Sequence, residues 1–294
     1  MSASIALSEA SPSALGLRRF VTDRISLCCA VVVLLMGLAA LFAPMIAPHD
    51  PADADLLRRL QPPAWQAGGE FAYPLGCDGL GRDILSRLIF GARVSLGVGF
   101  GVVLISSVIG TVLGMVAGFA RGVIDTVLSR IADVLLGFPY LVFAIGLMGM
   151  MGPGLGNIVI TLVLKEWVVA FRVARGETLG AREQDYVEAA RALGCPLWRI
   201  MGGEILPNIL SPVLVVATIR MAHVIIMESS LSFLGLGVQP PSVSWGGMVA
   251  DGREFLADGW WVATLPGLAI LIVVLAINLA SQGAREAFDP RLHR

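Results

Sequence analysis

The chain has 294 residues, 56% of them hydrophobic and only 15% charged, with a formal net charge of −1. A soluble domain carries about 25% charged residues, so this chain lacks the polar surface to cover itself in water, and a lipid bilayer is its expected solvent. The near-zero charge speaks against a general nucleic-acid binder, and Cys28, Cys29, Cys77 and Cys195 have the spacing of neither a zinc site nor a disulfide framework.

A helix that crosses the hydrocarbon core needs about 20 mostly apolar residues. Six stretches qualify, at residues 25–47, 94–119, 131–151, 155–173, 209–227 and 261–281. They predict an all-α, polytopic membrane helix bundle of six transmembrane helices. Residues 1–24 form the tail before it. The first apolar run is longer than the 7–15 residues of a signal peptide's apolar region, so a retained span is expected rather than a cleaved leader.

Residues 48–93 read as a loop between the first two spans, Pro-rich in its first half. From Gly81 on, the spacing of Asp78, Arg82, Asp83 and Arg87 suggests a short amphipathic helix lying at the outer interface and feeding the second span. A plain solvated turn is the alternative. Residues 94–283 then hold the five-span core. In its first span Gly110, Gly114 and Gly118 recur every four residues, which stacks them on one face. Glycine there lets another helix backbone approach closely. The run Gly152-Pro153-Gly154 separates the third and fourth spans as a tight turn. Pro139, Pro212 and Pro266 fall inside spans, which is tolerated where neighbouring groups satisfy the freed backbone.

Arginine placement sets the orientation. With the N-terminus inside, the cytoplasmic segments hold Arg18, Arg19, Arg24, Arg121, Arg130, Arg175, Arg182, Arg191, Arg199, Arg285, Arg291 and Arg294. The outer segments hold Arg58, Arg59, Arg82, Arg87, Arg93 and Arg253. This bias predicts an N-in, C-in topology. Residues 284–294 become a cytoplasmic tail.

Residues 176–207 are then a cytoplasmic loop with unusual content. Its polar run contains good helix formers up to Gly194, which can end a helix in the left-handed conformation. Pro196 suits the first turn of a second short helix over 196–204. Pro207 stops that helix or begins the fifth span. A rigid helix–turn–helix of this kind suits docking into a partner's groove; a long amphipathic connector is the plainer reading.

Five ionisable residues lie inside spans: Lys165, Glu166, Arg220, His223 and Glu228. Such groups are costly in lipid and face a cavity, water or each other. Arg220 and His223, three apart, share a helix face, and Glu228, eight beyond Arg220, falls roughly on it. The five line a translocation path or they pair between helices; spacing alone does not choose.

The loop carries a resemblance. Glu188-Ala189-Ala190, then Gly194 and Leu206-Pro207, is similar to the EAA loop of the membrane subunits of binding-protein-dependent ATP-binding-cassette (ABC) importers. The general pattern has Ile two residues before Leu-Pro, where Glu204 stands here. The segment "PLGCDGLGRDILSRLIFGARVSL", the segment "LSFLGLGVQPPSVSWGGMVADGREF" and the ending "AREAFDPR" resemble the dipeptide, oligopeptide and nickel permeases of that family. Cys77 stands where that branch usually has Thr, and Val243 where it has Pro; both lie on the outer side and bear on the binding-protein contact. The resemblance covers residues 44–292 and implies the type I ABC importer permease fold in a bacterial inner membrane. It implies as partners a homologous second permease, two ABC ATPase subunits and a periplasmic or extracellular substrate-binding protein. It implies that the loop forms a coupling helix seated in a cleft of the ATPase, and a cargo of short peptides, with nickel or another small solute as the alternative.

The chain lacks the Gly-x-x-x-x-Gly-Lys-Ser/Thr frame of a P-loop. Hydrolysis of ATP would therefore belong to another subunit, and this chain would be a non-hydrolytic transport subunit without catalytic residues. A proton-coupled secondary transporter built on Lys165, Glu166, His223 and Glu228 is the rival class, but it leaves the coupling loop unexplained, and the inverted repeats frequent in such folds are not evident. An intramembrane enzyme finds no support: His49, His223 and His293 fall in separate segments and His-Glu-x-x-His is absent. No metal or cofactor is expected.

Overall fold

The computed structural model describes residues 21–288. The expected tails therefore fall largely outside the described residues, as do Arg18, Arg19, Arg291, His293, Arg294 and the last three residues of the "AREAFDPR" ending. Within the described residues the protein is all helical, with no strand beyond an isolated bridge between Cys77 and Asp83.

The first span is α1, Arg24–Leu41, whose N-terminus is capped by the Asp23 carboxylate accepting from the Ile25 amide at 3.2 Å. Phe42 leaves helical geometry, and the chain resumes as the single turn α2, Ala43–Ile46. The loop that follows is irregular but closed by main-chain bonds. The Leu60 amide donates to the Asp78 carbonyl at 3.0 Å and the Cys77 amide to the Gln61 carbonyl at 2.9 Å.

The second span is α3, Ile84–Ala120, capped by Asp83 accepting from the Ser86 amide at 2.9 Å. Its 37 residues give about 55 Å of helix at 1.5 Å per residue, well beyond a hydrocarbon core of about 30 Å. The separate amphipathic helix expected from Gly81 onward does not form. Its charged residues after the cap are the first turns of α3 itself, because nothing between Asp83 and Arg93 breaks the helix.

The third expected span, 131–151, is not straight. It comprises the end of α4, Gly122–Gly137, and all of α5, Tyr140–Met151, which meet at 94°. Phe138 and Pro139 are extended at the break, as the proline's restriction on its predecessor requires. The turn Gly152–Gly154 reverses the chain into α6, Leu155–Ala181, eight residues longer than its expected span.

The loop beyond holds α7, Asp185–Ala192, and a single turn α8, Leu197–Arg199. A π-helical turn over Ile200–Ile205 joins it to α9, Leu206–Phe233. The expected helix over 196–204 is thus no independent element. It is the first turns of one helix running Leu197–Phe233. Pro207 has no N–H for the preceding turn, and that turn widens instead of stopping. Two further α-helices follow among the described residues. α10, Trp245–Gly252, is capped by the Ser244 hydroxyl, and α11 is Trp261–Phe288.

Among the described residues four helices are long and apolar enough to cross a bilayer, and the bent α4–α5 pair, taken as one span, makes a fifth. α6 is long enough, but Lys165, Glu166, Arg172 and Arg175 break its apolar run. The bundle is built on α3 and α6, which share the most extensive contact, with α9 against both and α11 and α1 closing the other side. The glycine stripe explains the first contact. A Cβ on Gly110 would lie 2.4 Å from the Trp167 carbonyl oxygen, and one on Gly114 2.6 Å from that of Phe171. Outward-facing Leu34, Leu35, Phe100, Val142 and Leu271 are exposed, as suits surfaces that meet lipid or another membrane protein.

Candidate functional site: the α7 loop and the buried polar groups

The loop after α6 is rigid for identifiable reasons. α7 ends in a Schellman turn: the Gly194 amide donates to the Arg191 carbonyl at 2.9 Å and the Cys195 amide to that of Ala190 at 3.1 Å. Gly194 has φ +75°, the left-handed conformation anticipated from sequence. Val187 is fully buried in one cluster with Met115, Phe119, Ala174, Ile200, Ile205 and Ile209, and Ala190 packs against it, so α7 is held on the π-helical turn beside the ends of α3, α6 and α9. Arg182 and Arg191 lie over the Phe119 ring at 5.5 and 4.8 Å. Arg182 also donates to the Phe119 carbonyl, and Arg121 pairs with Glu183. The opposite face is open: Glu188, Ala189, Gly194 and Pro207 are exposed, with Ala190 and Leu206 half-buried. Tyr186, Leu193, Leu197 and Trp198 extend that open face with apolar surface. Trp198 was not singled out by sequence; its exposure is visible only once α7 and α8 are placed.

The five intramembrane ionisable residues divide into three groups. Glu166 and Arg220 form a two-pronged pair, Arg220 Nε to Oε2 and Nη2 to Oε1, both at 2.7 Å. His223 Nδ1 lies 3.2 Å from the same Glu166 oxygen, and the Tyr140 ring stands edge-on to His223 at 5.1 Å between centroids. The Glu166 side chain is 1% exposed, while those of Arg220 and His223 are 27% and 34% exposed. The cluster therefore has a sealed acidic floor and a partly open basic mouth. Glu228 is elsewhere. It is wholly buried and accepts from Ser232 at 2.7 Å, Ser95 at 3.0 Å and Ser229 at 3.4 Å. Lys165 turns away from Glu166 toward the α4–α5 break. The shared face expected for Arg220, His223 and Glu228 holds for the first two only.

Glu228→Gln is expected to leave folding and transport near normal, because an amide can still bond the surrounding hydroxyls. Glu228→Leu leaves three hydroxyls without their acceptor and is expected to cost about 1–3 kcal/mol. Thermal unfolding of the two variants in detergent separates these outcomes.

At the other end of the bundle the "GCDGLGRD" segment makes an ordered cap. Asp78 accepts from the Leu80 and Arg82 amides at 2.8 and 2.9 Å and from Arg82 Nε at 2.7 Å. Arg82 and Arg87 reach across to Asp251 of α10 at 3.5 and 3.2 Å. Cys77 is buried, and its carbonyl accepts the Trp261 indole N–H at 3.1 Å. Burial, then the nearby Asp83 and Asp78 charges, push its thiol pKa up to about 12, so it packs rather than reacts. Val243 is buried beside Trp245. The two departures from the branch pattern are therefore core residues, and neither side chain is presented to a partner.

Residues 110–294 match the family described as "Binding-protein-dependent transport system inner membrane component". Residues 11–63 match the "N-terminal TM domain of oligopeptide transport permease C". The chain is 41% identical over 260 residues to the di/tripeptide transport system permease protein DppC of Pseudomonas aeruginosa (strain UCBPP-PA14), covering 88% of this chain and 86% of that protein. It is 42% identical over 262 residues to the dipeptide transport system permease protein DppC of Escherichia coli (strain K12), covering 89% and 87%. Among solved structures it resembles the MetNI methionine ABC transporter in inward-facing conformations, with TM-score 0.56 and 19% identity over 70% of this chain and 98% of that one; this likeness speaks to the fold alone. The chain belongs to the inner-membrane permease components of binding-protein-dependent ABC importers. Within them it is a DppC/OppC-type subunit, a multi-pass bacterial inner-membrane protein that is not itself an ATPase.

Proposed function

We propose that this chain forms half of the translocation pathway of an ATP-driven importer of dipeptides or short oligopeptides, and that loop 176–207 receives the motion of a separate ATPase. The observation that carries the coupling role is the build of α7: one face locked into the bundle through Val187, the other exposed around Glu188, Ala189 and Gly194. A push on such an element moves α3, α6 and α9 together. The peptide cargo is supported by the transport names of the relatives above, and nickel or another small solute is the alternative on the same machinery. The partners in this reading are a homologous second permease, two ABC ATPase subunits and a substrate-binding protein. α6 counts as a sixth crossing, because Glu166 is paired with Arg220 and Lys165 with main-chain carbonyls, which removes the penalty of charge in lipid. Six crossings with the arginine bias give N-in, C-in. The pathway role rests on the open mouth of Arg220 and His223, whereas Lys165 and Glu228 are engaged inside the chain.

The test is co-purification from membranes in mild detergent. Wild-type chain is expected to bring a P-loop ATPase and a second permease. A Gly194→Trp variant is expected to keep the permease and lose most of the ATPase, since the new side chain stands on the docking face and strains a φ of +75°. ATPase retained at the wild-type level would remove the coupling role from this loop. A correctly inserted wild-type chain that came alone would favour a self-sufficient transporter.

A further inference from the structure

The sequence contains a single lysine, and it is buried in the middle of α6: Lys165 is 5% exposed. Among the described residues no carboxylate lies within ion-pair distance of its ammonium, because the adjacent Glu166 is turned to Arg220. Lys165 Nζ donates instead to two main-chain carbonyls, those of Leu135 and Phe138, the latter at 2.8 Å. The Tyr140 and Phe143 rings flank it at 6.0 and 5.5 Å.

Both carbonyls lie where α4 ends, at the 94° break before Pro139. In an uninterrupted helix the amide of residue 139 would donate to the carbonyl of residue 135. Proline has no such amide. The last carbonyls of α4 also carry the negative end of its dipole, and unsatisfied carbonyls are costly at membrane depth. The ammonium thus replaces, from another helix, the donor that the proline deletes. On the far side of the break the first residue of α5 is Tyr140, which stands edge-on to His223 of the Glu166–Arg220–His223 cluster.

We propose that Lys165 is a positioning residue for transport: by capping the Leu135 and Phe138 carbonyls it holds the α4–α5 break at its angle and so seats Tyr140 against the Arg220–His223 cluster. The proline makes the break, and the lysine makes it a fixed corner rather than a loose hinge.

The test measures the corner directly in the full chain in lipid nanodiscs. Spin labels are placed at exposed Val127 of α4 and Val142 of α5, after serine replaces Cys28, Cys29 and Cys195. The parent is expected to give one narrow distance distribution. Lys165→Met is expected to broaden and lengthen it, and Lys165→Arg, which keeps a cationic donor, to restore it. Uptake of a labelled dipeptide by membranes bearing the whole importer is expected to fall about tenfold in Lys165→Met, the loss of a charged hydrogen bond, and to recover with arginine. This uptake arm rests on the cargo reading above, and the distance arm does not. Failure of the parent to take up dipeptide would sink that cargo reading alone, with the distances still deciding the corner.

A parental distance distribution in Lys165→Met overturns the proposal, and so do altered distances with uptake unchanged. Should Lys165→Met fail to accumulate, the Pro139→Ala/Lys165→Met double variant decides. The restored amide can then bond Leu135 in a continuous helix, so the chain is expected to accumulate again, with a longer label distance and low uptake. No recovery of accumulation would show that the lysine does not answer the proline, and would overturn the proposal as well.

Discussion

Arg220→Leu is expected to destabilise the chain by about 3–5 kcal/mol, because it leaves a buried carboxylate without its cation. The Glu166 side chain is 1% exposed, and both its oxygens are taken by Arg220 at 2.7 Å. His223, 3.2 Å from one of these oxygens, does not replace the two-pronged pair. The Glu166→Leu/Arg220→Leu double variant is expected to recover most of the loss, since exchanging a buried ion pair for apolar residues of similar volume is neutral or stabilising in many proteins. Its transport is expected to stay low if the basic mouth of the cluster contacts cargo. Thermal unfolding in detergent with uptake measured alongside checks both halves. A double variant as unstable as the single would show that the pair itself, and not the orphaned charge, matters to folding.

Gly114→Leu is the second large effect. Its Cβ would lie 2.6 Å from the Phe171 carbonyl oxygen and 2.9 Å from both the Ala174 Cβ and the Arg175 amide nitrogen. Two of these are backbone atoms of α6 and cannot move aside, so α3 and α6 must separate. Overpacking costs about 1–3 kcal/mol, occasionally more, and here the whole contact shares the strain. Gly97→Ala and Gly101→Ala are the controls, because their new Cβ atoms meet nothing within 4 Å. They are expected to be neutral or to gain up to about 1 kcal/mol from helix propensity. Expression and melting temperature in detergent should therefore fall steeply for Gly114→Leu and hardly change for the controls. Equal behaviour of the three variants would mean that α3 and α6 do not pack along this stripe.

Much of the molecule was legible in its residues. The apolar runs, the Gly152–Gly154 reversal, the left-handed Gly194 and the helix before it all depend on a few neighbouring residues, and hydropathy and allowed φ/ψ are properties of such short stretches. The motif around Glu188, Ala189, Ala190 and Gly194 lies on one compact element and is read the same way. The length of α3 was less legible. Charged residues near Arg87 suggest a boundary, but no proline follows Asp83 before Ala120, and the glycines from Gly91 on keep helical geometry.

What composition and local pattern determined about this protein is its solvent, its helical class and the compact helix–turn element that ends at Gly194. Only the tertiary structure decided which groups satisfy one another. Glu166 and Arg220 are 54 residues apart in sequence, and Lys165 is 27 from the nearer carbonyl it caps. Spacing made Glu228 a neighbour of Arg220 and His223, yet packing gave it to the serines of α3 and α9. The glycine stripe showed that some backbone would come close, and only the fold showed that it is α6 of the same chain. The reason is physical. Inside an apolar bundle a buried charge must take whatever partner the facing helix brings within about 3 Å, and which helices face each other is set by side chains spread over the whole sequence.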